Sequence, residues 1–103
     1  MAYGWIITKD HLAEEFEDYS SDAGVTGPRG ISDEMVADLK AGKGHTFYMY
    51  DDDGNRYYTG KMIATGDDEE TEWAIGSPLD NFGTPNAGCT LIKYHGKPTW
   101  DIG

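Results

Sequence analysis

Three residues in the last quarter of the chain have the types needed for a thiol nucleophile. Cys89 is the single cysteine, and His95 and Asp101 follow it. A catalytic thiol needs a neighbouring base, and the base needs an acid that orients it, all within hydrogen-bonding distance. Cys89 lies in an apolar segment predicted as a strand, where a cysteine usually packs as a small hydrophobic side chain. We therefore predict a structural cysteine and no catalytic residue.

The run Asp51, Asp52, Asp53 and Gly54 has the residue types of a calcium-binding loop. Loops of the EF-hand type place acidic ligands at alternate positions before the glycine and a glutamate six residues after it. Met49 stands at the first of these positions and Gly60 at the last, so the spacing does not fit. A tight turn between two strands explains the run better, because Asp-Gly sequences favour such turns. No metal site is predicted.

The segment Gly42 to Thr46 contains a Gly-Lys pair, as phosphate-binding loops do. Such loops require another glycine earlier in the loop and a Ser or Thr directly after the lysine, and both are absent here. We predict no cofactor.

Carboxylates are concentrated in two blocks. Asp10–Asp38 holds nine carboxylates and one arginine, and Asp51–Glu72 holds eight carboxylates and two basic residues. One hypothesis is a negative surface that occupies the basic site of a nucleic-acid-binding protein, with carboxylates in place of phosphates. The alternative is ordinary solvation of an exposed surface. The residues predicted at such a contact are Glu14, Glu17, Asp18, Asp67, Asp68, Glu69 and Glu70.

Aromatic residues surround the Asp51 turn on both sides. Alternation along two strands puts some of these rings in the core and others on the opposite face. Exposed tyrosines form rigid, amphipathic contact surfaces of the kind enriched at protein interfaces. The alternative is ordinary pairing between strands. The predicted contact residues are Tyr48, Tyr50 and Tyr57, together with Phe82 from a proline-containing segment.

The elements that carry these residues follow from hydrophobic periodicity and turn signals. Tyr3, Trp5 and Ile7 alternate on one face of a first strand. Leu12, Phe16 and Tyr19 recur at helical spacing, with Asp10 on the polar side. Ser32 is placed to cap a second helix. Further strands are predicted at His45–Tyr50, Arg56–Ala64, Glu72–Gly76, Cys89–Gly96 and Pro98–Ile102, with a long loop at Ser77–Gly88.

These elements predict an α+β fold, a mostly antiparallel sheet of about five strands with two short helices packed on it. A chain of 103 residues is expected to form a single domain over residues 1–103.

The net charge restricts the classes of partner. Asp and Glu number 19 against 8 Lys and Arg, which gives a formal charge of −11. Such a field repels phosphate backbones and anionic lipids, so direct nucleic-acid and membrane binding are disfavoured. One cysteine allows no internal disulfide, and no segment approaches the roughly 18 apolar residues of a membrane span. We expect a cytoplasmic protein.

Three segments of the chain, TGPRGIS, FYMYDDDGNRYYTGKM and PLDNFGTPNAGCTLIKY, resemble small acidic proteins of actinobacteria and their phages. The resemblance covers most of the chain and implies no defined activity. In size and acidity the chain is also similar to phage proteins that block bacterial defence, including anti-restriction and anti-CRISPR proteins.

The residues and the resemblance together favour a non-catalytic acidic interaction protein. Its expected partner is a protein with a basic surface, in the manner of a phage or mobile-element inhibitor. A general protein-binding or regulatory module that uses the aromatic hairpin is the alternative, and a small thiol enzyme is a third. The sequence leaves the oligomeric state and the partner's identity open.

Overall fold

The computed structural model describes residues 3–15, 20–65 and 68–103, with the backbone alone for residues 68–72. The strands are β1 (Tyr3–Asp10), β2 (Thr26–Gly27), β3 (His45–Tyr50), β4 (Arg56–Ala64) and β5 (Leu91–Tyr94). The helices are α1 (His11–Glu15), α2 (Asp33–Lys40), α3 (Asp68–Pro78), a π-helical turn (Leu79–Gly83), α4 (Thr84–Ala87) and a 3-10 turn (Pro98–Trp100).

The five strands form one antiparallel sheet in the order β2-β1-β4-β3-β5 within the described residues. The predicted α+β class and the predicted strand number are therefore confirmed. The Asp51 turn joins β3 to β4, and Gly54 has a φ of 81° there. An L-residue rarely adopts that angle, so the glycine lets the chain reverse.

The sheet has a hydrophobic layer on each face. The larger layer includes Trp5, Ile7, Phe47 and Tyr58 and packs against α3 and the π-helical turn. The smaller layer lies on the other face, where Ile6 meets Met35 and Leu39 of α2. The Ser32 hydroxyl accepts a hydrogen bond from the Met35 amide at 3.2 Å, so the predicted cap of α2 is confirmed. Tyr3, Trp5 and Ile7 share one face, as expected.

The predicted strand at Glu72–Gly76 and the predicted loop at Ser77–Gly88 are both wrong. One helical stretch runs from α3 through the π-helical turn into α4. Trp73 is 73% exposed and Ile75 is buried, so the two do not share a face. The buried positions Ala74, Ile75, Pro78, Leu79 and Phe82 recur at helical spacing across the boundary drawn at Ser77. Pro78 hid that pattern because a proline usually ends a helix.

Three smaller predictions also need correction. The last segment forms a 3-10 turn and a single bridge between Ile102 and Ile92, in place of a strand. β2 lies in a segment predicted as a loop. Asp10, predicted on the polar side of the first helix, is only 2% exposed. Its carboxylate accepts hydrogen bonds from the amides of Ala13 and Asp22, at 3.1 and 2.9 Å.

No helix of the described residues is long and apolar enough to cross a membrane.

Candidate functional site

An aromatic and basic surface lies on the sheet face that carries α2. Helix α2 packs on β1 and β4. Farther along the same face, the side chains of Tyr48 and Tyr50 are half-buried, and those of Arg56, Lys93 and His95 are exposed. We call these five residues the tyrosine–cation face.

Arg56 forms the centre of this surface. Its guanidinium carbon lies 4.1 Å from the centre of the Tyr48 ring and 5.5 Å from that of Tyr50. Its Nη2 also donates a hydrogen bond to the Tyr50 hydroxyl at 3.0 Å. A cation over an aromatic face is held by the negative potential of the ring. The two rings therefore hold the guanidinium in position at the protein surface.

Two more side chains extend the surface across β3 to β5. The Lys93 ammonium lies 5.8 Å from the centre of the Tyr50 ring. The His95 ring meets the Tyr48 ring edge-on, with centres 6.5 Å apart. Both contacts lie within the range over which rings attract cations and other rings.

The strand register explains why these residues meet. Tyr48 pairs with Lys93 of β5, and Tyr50 pairs with Arg56 of β4. Residues paired across antiparallel strands have neighbouring side chains on one face. The register shifts between Met49 and Tyr50, so that Tyr57 has no partner in β3. This bulge aligns Arg56 with Tyr50.

Arg56 and Lys93 have no carboxylate partner within ion-pair distance among the residues that the structure describes. The two ion pairs found there are Lys9 with Glu14 and Lys43 with Asp38. The tyrosine–cation face therefore carries uncompensated positive charge on a chain whose formal net charge is −11.

The structure separates the four aromatic residues predicted for partner contact. Tyr48 and Tyr50 lie on the tyrosine–cation face. Tyr57 packs against the larger hydrophobic layer, and its hydrogen bond with the Asp51 carboxylate raises the pKa of its hydroxyl. Phe82 is 7% exposed, with its ring edge against Tyr58 at 5.0 Å between centres. Phe82 lies in a π-helical turn and not in the exposed loop that was expected, and its role as a contact residue stays a prediction.

The structure describes only some of the acidic residues predicted for partner contact. Glu14 is exposed on α1 and lies 3.6 Å from Lys9. Glu17, Asp18 and Asp67 lie outside the described residues. The backbone of Asp68, Glu69 and Glu70 opens α3, and their side chains are outside the description. The contact of these carboxylates with a partner stays a prediction.

The Asp51 turn is internally bonded, as a hairpin turn requires. One carboxylate oxygen of Asp51 accepts hydrogen bonds from the amides of Asp53 and Asn55, and the other accepts from the Asn55 side chain. The Asn55 side chain, followed by its amide, lowers the pKa of Asp51 because these bonds favour the charged form. In the described part of the chain, no group of three His, Cys, Asp or Glu residues is placed to hold a metal ion.

The three residues considered for thiol chemistry do not form a site in this structure. Cys89 is fully buried, and burial raises the pKa of its thiol to about 12. His95 is exposed against Tyr48, and a carboxylate oxygen of Asp101 accepts a bond from the Tyr94 amide at 3.3 Å. A protonated, buried thiol is a poor nucleophile.

Sequence reasoning missed the cations of this surface and one exposed aromatic residue. Arg56 and Lys93 are 37 positions apart in the chain (93 minus 56) and meet only through the strand order. Trp73 stands out from α3 beside a groove of about 370 Å³ that Gly76, Asp80 and Ile102 also line. The sequence signal for Trp73 was the helical spacing of the apolar positions that follow it. A helix at Glu72–Gly76 places Trp73 on the side opposite the buried positions.

Comparison with protein-family models, curated proteins and solved structures finds no match to this chain.

Proposed function

We propose that this protein is a non-catalytic binding module that contacts an acidic segment of a partner protein through the tyrosine–cation face. The observation that carries the proposal is the Arg56 guanidinium held over the Tyr48 ring, 4.1 Å from its centre, on an exposed surface. Tyr and Arg are the residue types that most often dominate binding energy at protein interfaces. A guanidinium already held in place loses little side-chain freedom on binding.

The charge pattern favours an acidic partner for this surface. Arg56 and Lys93 have no ion pair within the described residues, and carboxylates of a partner would supply the missing ion pairs. Arginine binds carboxylates with two parallel hydrogen bonds, which gives such a contact its geometry.

A protein segment fits better than a nucleic acid. Basic residues interleaved with aromatic rings also occur in proteins that bind single strands. A polynucleotide, however, extends its phosphates over a wide surface, and the formal net charge of −11 opposes them. A short acidic segment needs only local complementarity, because salt screens charges beyond about 8 Å at physiological ionic strength.

The test is fluorescence anisotropy with two labelled probes, a peptide of alternating Glu and Phe and an oligothymidylate of equal length. We expect the peptide to bind and Arg56→Gln to raise its Kd about tenfold, since cation–π and charged contacts contribute about 1–2 kcal/mol. Lys40→Gln is the matched control, because Lys40 is exposed on α2 and is not one of the five residues of the tyrosine–cation face.

Equal effects of Arg56→Gln and Lys40→Gln contradict the proposal, as does tighter binding of the oligothymidylate. Circular dichroism of each variant establishes that the fold is intact.

The acidic contact with a basic partner, and with it the role of a phage inhibitor, stays a prediction with a separate test. A labelled peptide of alternating Lys and Phe should bind the chain, and that binding should weaken sharply with salt. Neutralising each acidic block in turn identifies the block that matters. If both variants still bind the peptide, that prediction is contradicted. This outcome does not bear on the proposal for the tyrosine–cation face.

A further inference from the structure

A second concave surface lies away from the tyrosine–cation face, where β1 and β2 meet the π-helical turn. This cleft has a volume of about 790 Å³. Pockets that hold small molecules usually measure about 300–1,000 Å³. Its wall includes Tyr3, Trp5, Pro28 and Phe82, and Arg29 stands at its exposed edge.

The aromatic wall of the cleft contains a polar group without a partner. The Trp5 side chain is 3% exposed, and its Nε1 is buried with no hydrogen-bond acceptor among the described residues. A buried indole N–H normally finds an acceptor. This donor is closed to solvent in the structure, so a bound molecule that supplies the missing acceptor must displace the wall beside it.

The position of the indole is set by Gly27. A Cβ on Gly27 would lie 2.3 Å from Cζ2 of Trp5, so any side chain at residue 27 displaces the ring. The register pairs Trp5 with Gly27 directly. The Trp5 ring also lies 5.5 Å from the Phe82 ring, between centres, at an angle of 54°. The indole is thus fixed between the backbone of β2 and the π-helical turn.

The π-helical turn itself contributes to the cleft. Asn81 and Phe82 both come from this turn and both line the cleft. Single π-helical turns inside helical stretches are frequent at functional sites.

Arg29 supplies the charge of the site. It is exposed at the cleft and has no ion pair with a carboxylate of the described residues. A wall of mixed polar and aromatic side chains, a buried donor and a cation together suit a small, flat molecule that carries an anionic group. We propose that this cleft binds a small aromatic carboxylate, with an acceptor toward the Trp5 indole and its anionic group toward Arg29.

The test uses NMR of the indole N–H groups during titration with naphthoate, with naphthylmethanol as the neutral analogue. The chain has three tryptophans, and the variants Trp73→Phe and Trp100→Phe assign their signals by loss. We expect naphthoate to shift the Trp5 signal to saturation. Arg29→Gln should raise the Kd of naphthoate about fivefold or more and leave that of naphthylmethanol unchanged, because only the anion loses a charged contact.

Lys40→Gln is again the matched control for loss of one exposed cation, and Arg56→Gln should leave naphthoate binding intact. This second expectation keeps the cleft and the tyrosine–cation face separate, so that failure of one proposal leaves the other standing. An unmoved Trp5 signal, equal shifts of all three indoles, or equal effects of Arg29→Gln and Lys40→Gln would each overturn the inference.

Discussion

Burial decides the chemistry of Asp10, which the sequence placed on a polar surface, and of Cys89, which the sequence placed among apolar residues. Asp10 has an acidic type that usually stays at the surface, yet its carboxylate is buried and accepts bonds from two amides. These bonds replace those with water, which makes the burial of the carboxylate tolerable. Cys89 is also buried, and it contributes packing to the larger hydrophobic layer. In both residues the surroundings assign a structural role.

Cys89 should react very slowly with thiol reagents in the native protein. Burial raises the pKa of the thiol from 9.0 to about 12, so the reactive thiolate is scarce at pH 8, and the sulfur has no access to solvent. The measurement is the rate of reaction with a chromogenic disulfide, before and after unfolding in guanidinium chloride. Rapid reaction of the folded protein at pH 8 contradicts the burial of this thiol.

At the scale of elements, close approach of backbones shapes the centre of the sheet. Gly60 lies in the middle of β4 and pairs with Ile7 and Phe47. A Cβ there would lie 2.3 Å from the carbonyl oxygen of Ile6 and 2.4 Å from Cζ of Phe47. The glycine therefore leaves room for the Phe47 ring to cross the strand.

Gly60→Ala should lower the free energy of unfolding by about 1–3 kcal/mol, the range for overpacked cores. The matched control is Gly76→Ala in α3, whose added Cβ would lie 3.3 Å from the flexible Cδ1 of Ile102. Alanine favours a helix over glycine, so we expect little loss of stability there. Urea denaturation of both variants gives the comparison. A Gly60→Ala protein as stable as the control contradicts the close approach.

The whole molecule combines a strongly negative total charge with a locally positive face. The formal charge is −11, and the described residues contain two ion pairs between side chains. Most charges are therefore compensated by solvent and ions and not by neighbouring side chains. Repulsion among carboxylates opposes the compact state, whereas the tyrosine–cation face concentrates cations where a partner can reach them.

The melting temperature should rise by several degrees when sodium chloride is raised from about 0.01 to about 0.15 M at pH 7. Salt shortens the screening length from about 30 to about 8 Å and so weakens the repulsion between carboxylates. The effect should disappear near pH 4.3, where the net charge of the chain is close to zero. Differential scanning calorimetry provides the measurement. A melting temperature that falls with salt at pH 7 contradicts this account.

Local patterns in the sequence determined the fold class, the first strand, the Ser32 cap and the hairpin around Asp51. Each depends on residues close together in the chain, where alternation, capping and turn chemistry act directly. Alternation along the strands also predicted that some rings of the hairpin would lie on the face opposite the core, and the structure places Tyr48 and Tyr50 there.

Only the tertiary structure decided which distant residues meet. The pairing of β3 with both β4 and β5 brings Arg56 and Lys93 to the tyrosines. The packing of the π-helical turn against β1 places Phe82 against Trp5 and forms the cleft. Neither contact has a local signal, because strand order and helix packing depend on burial of the whole core and not on neighbouring residues.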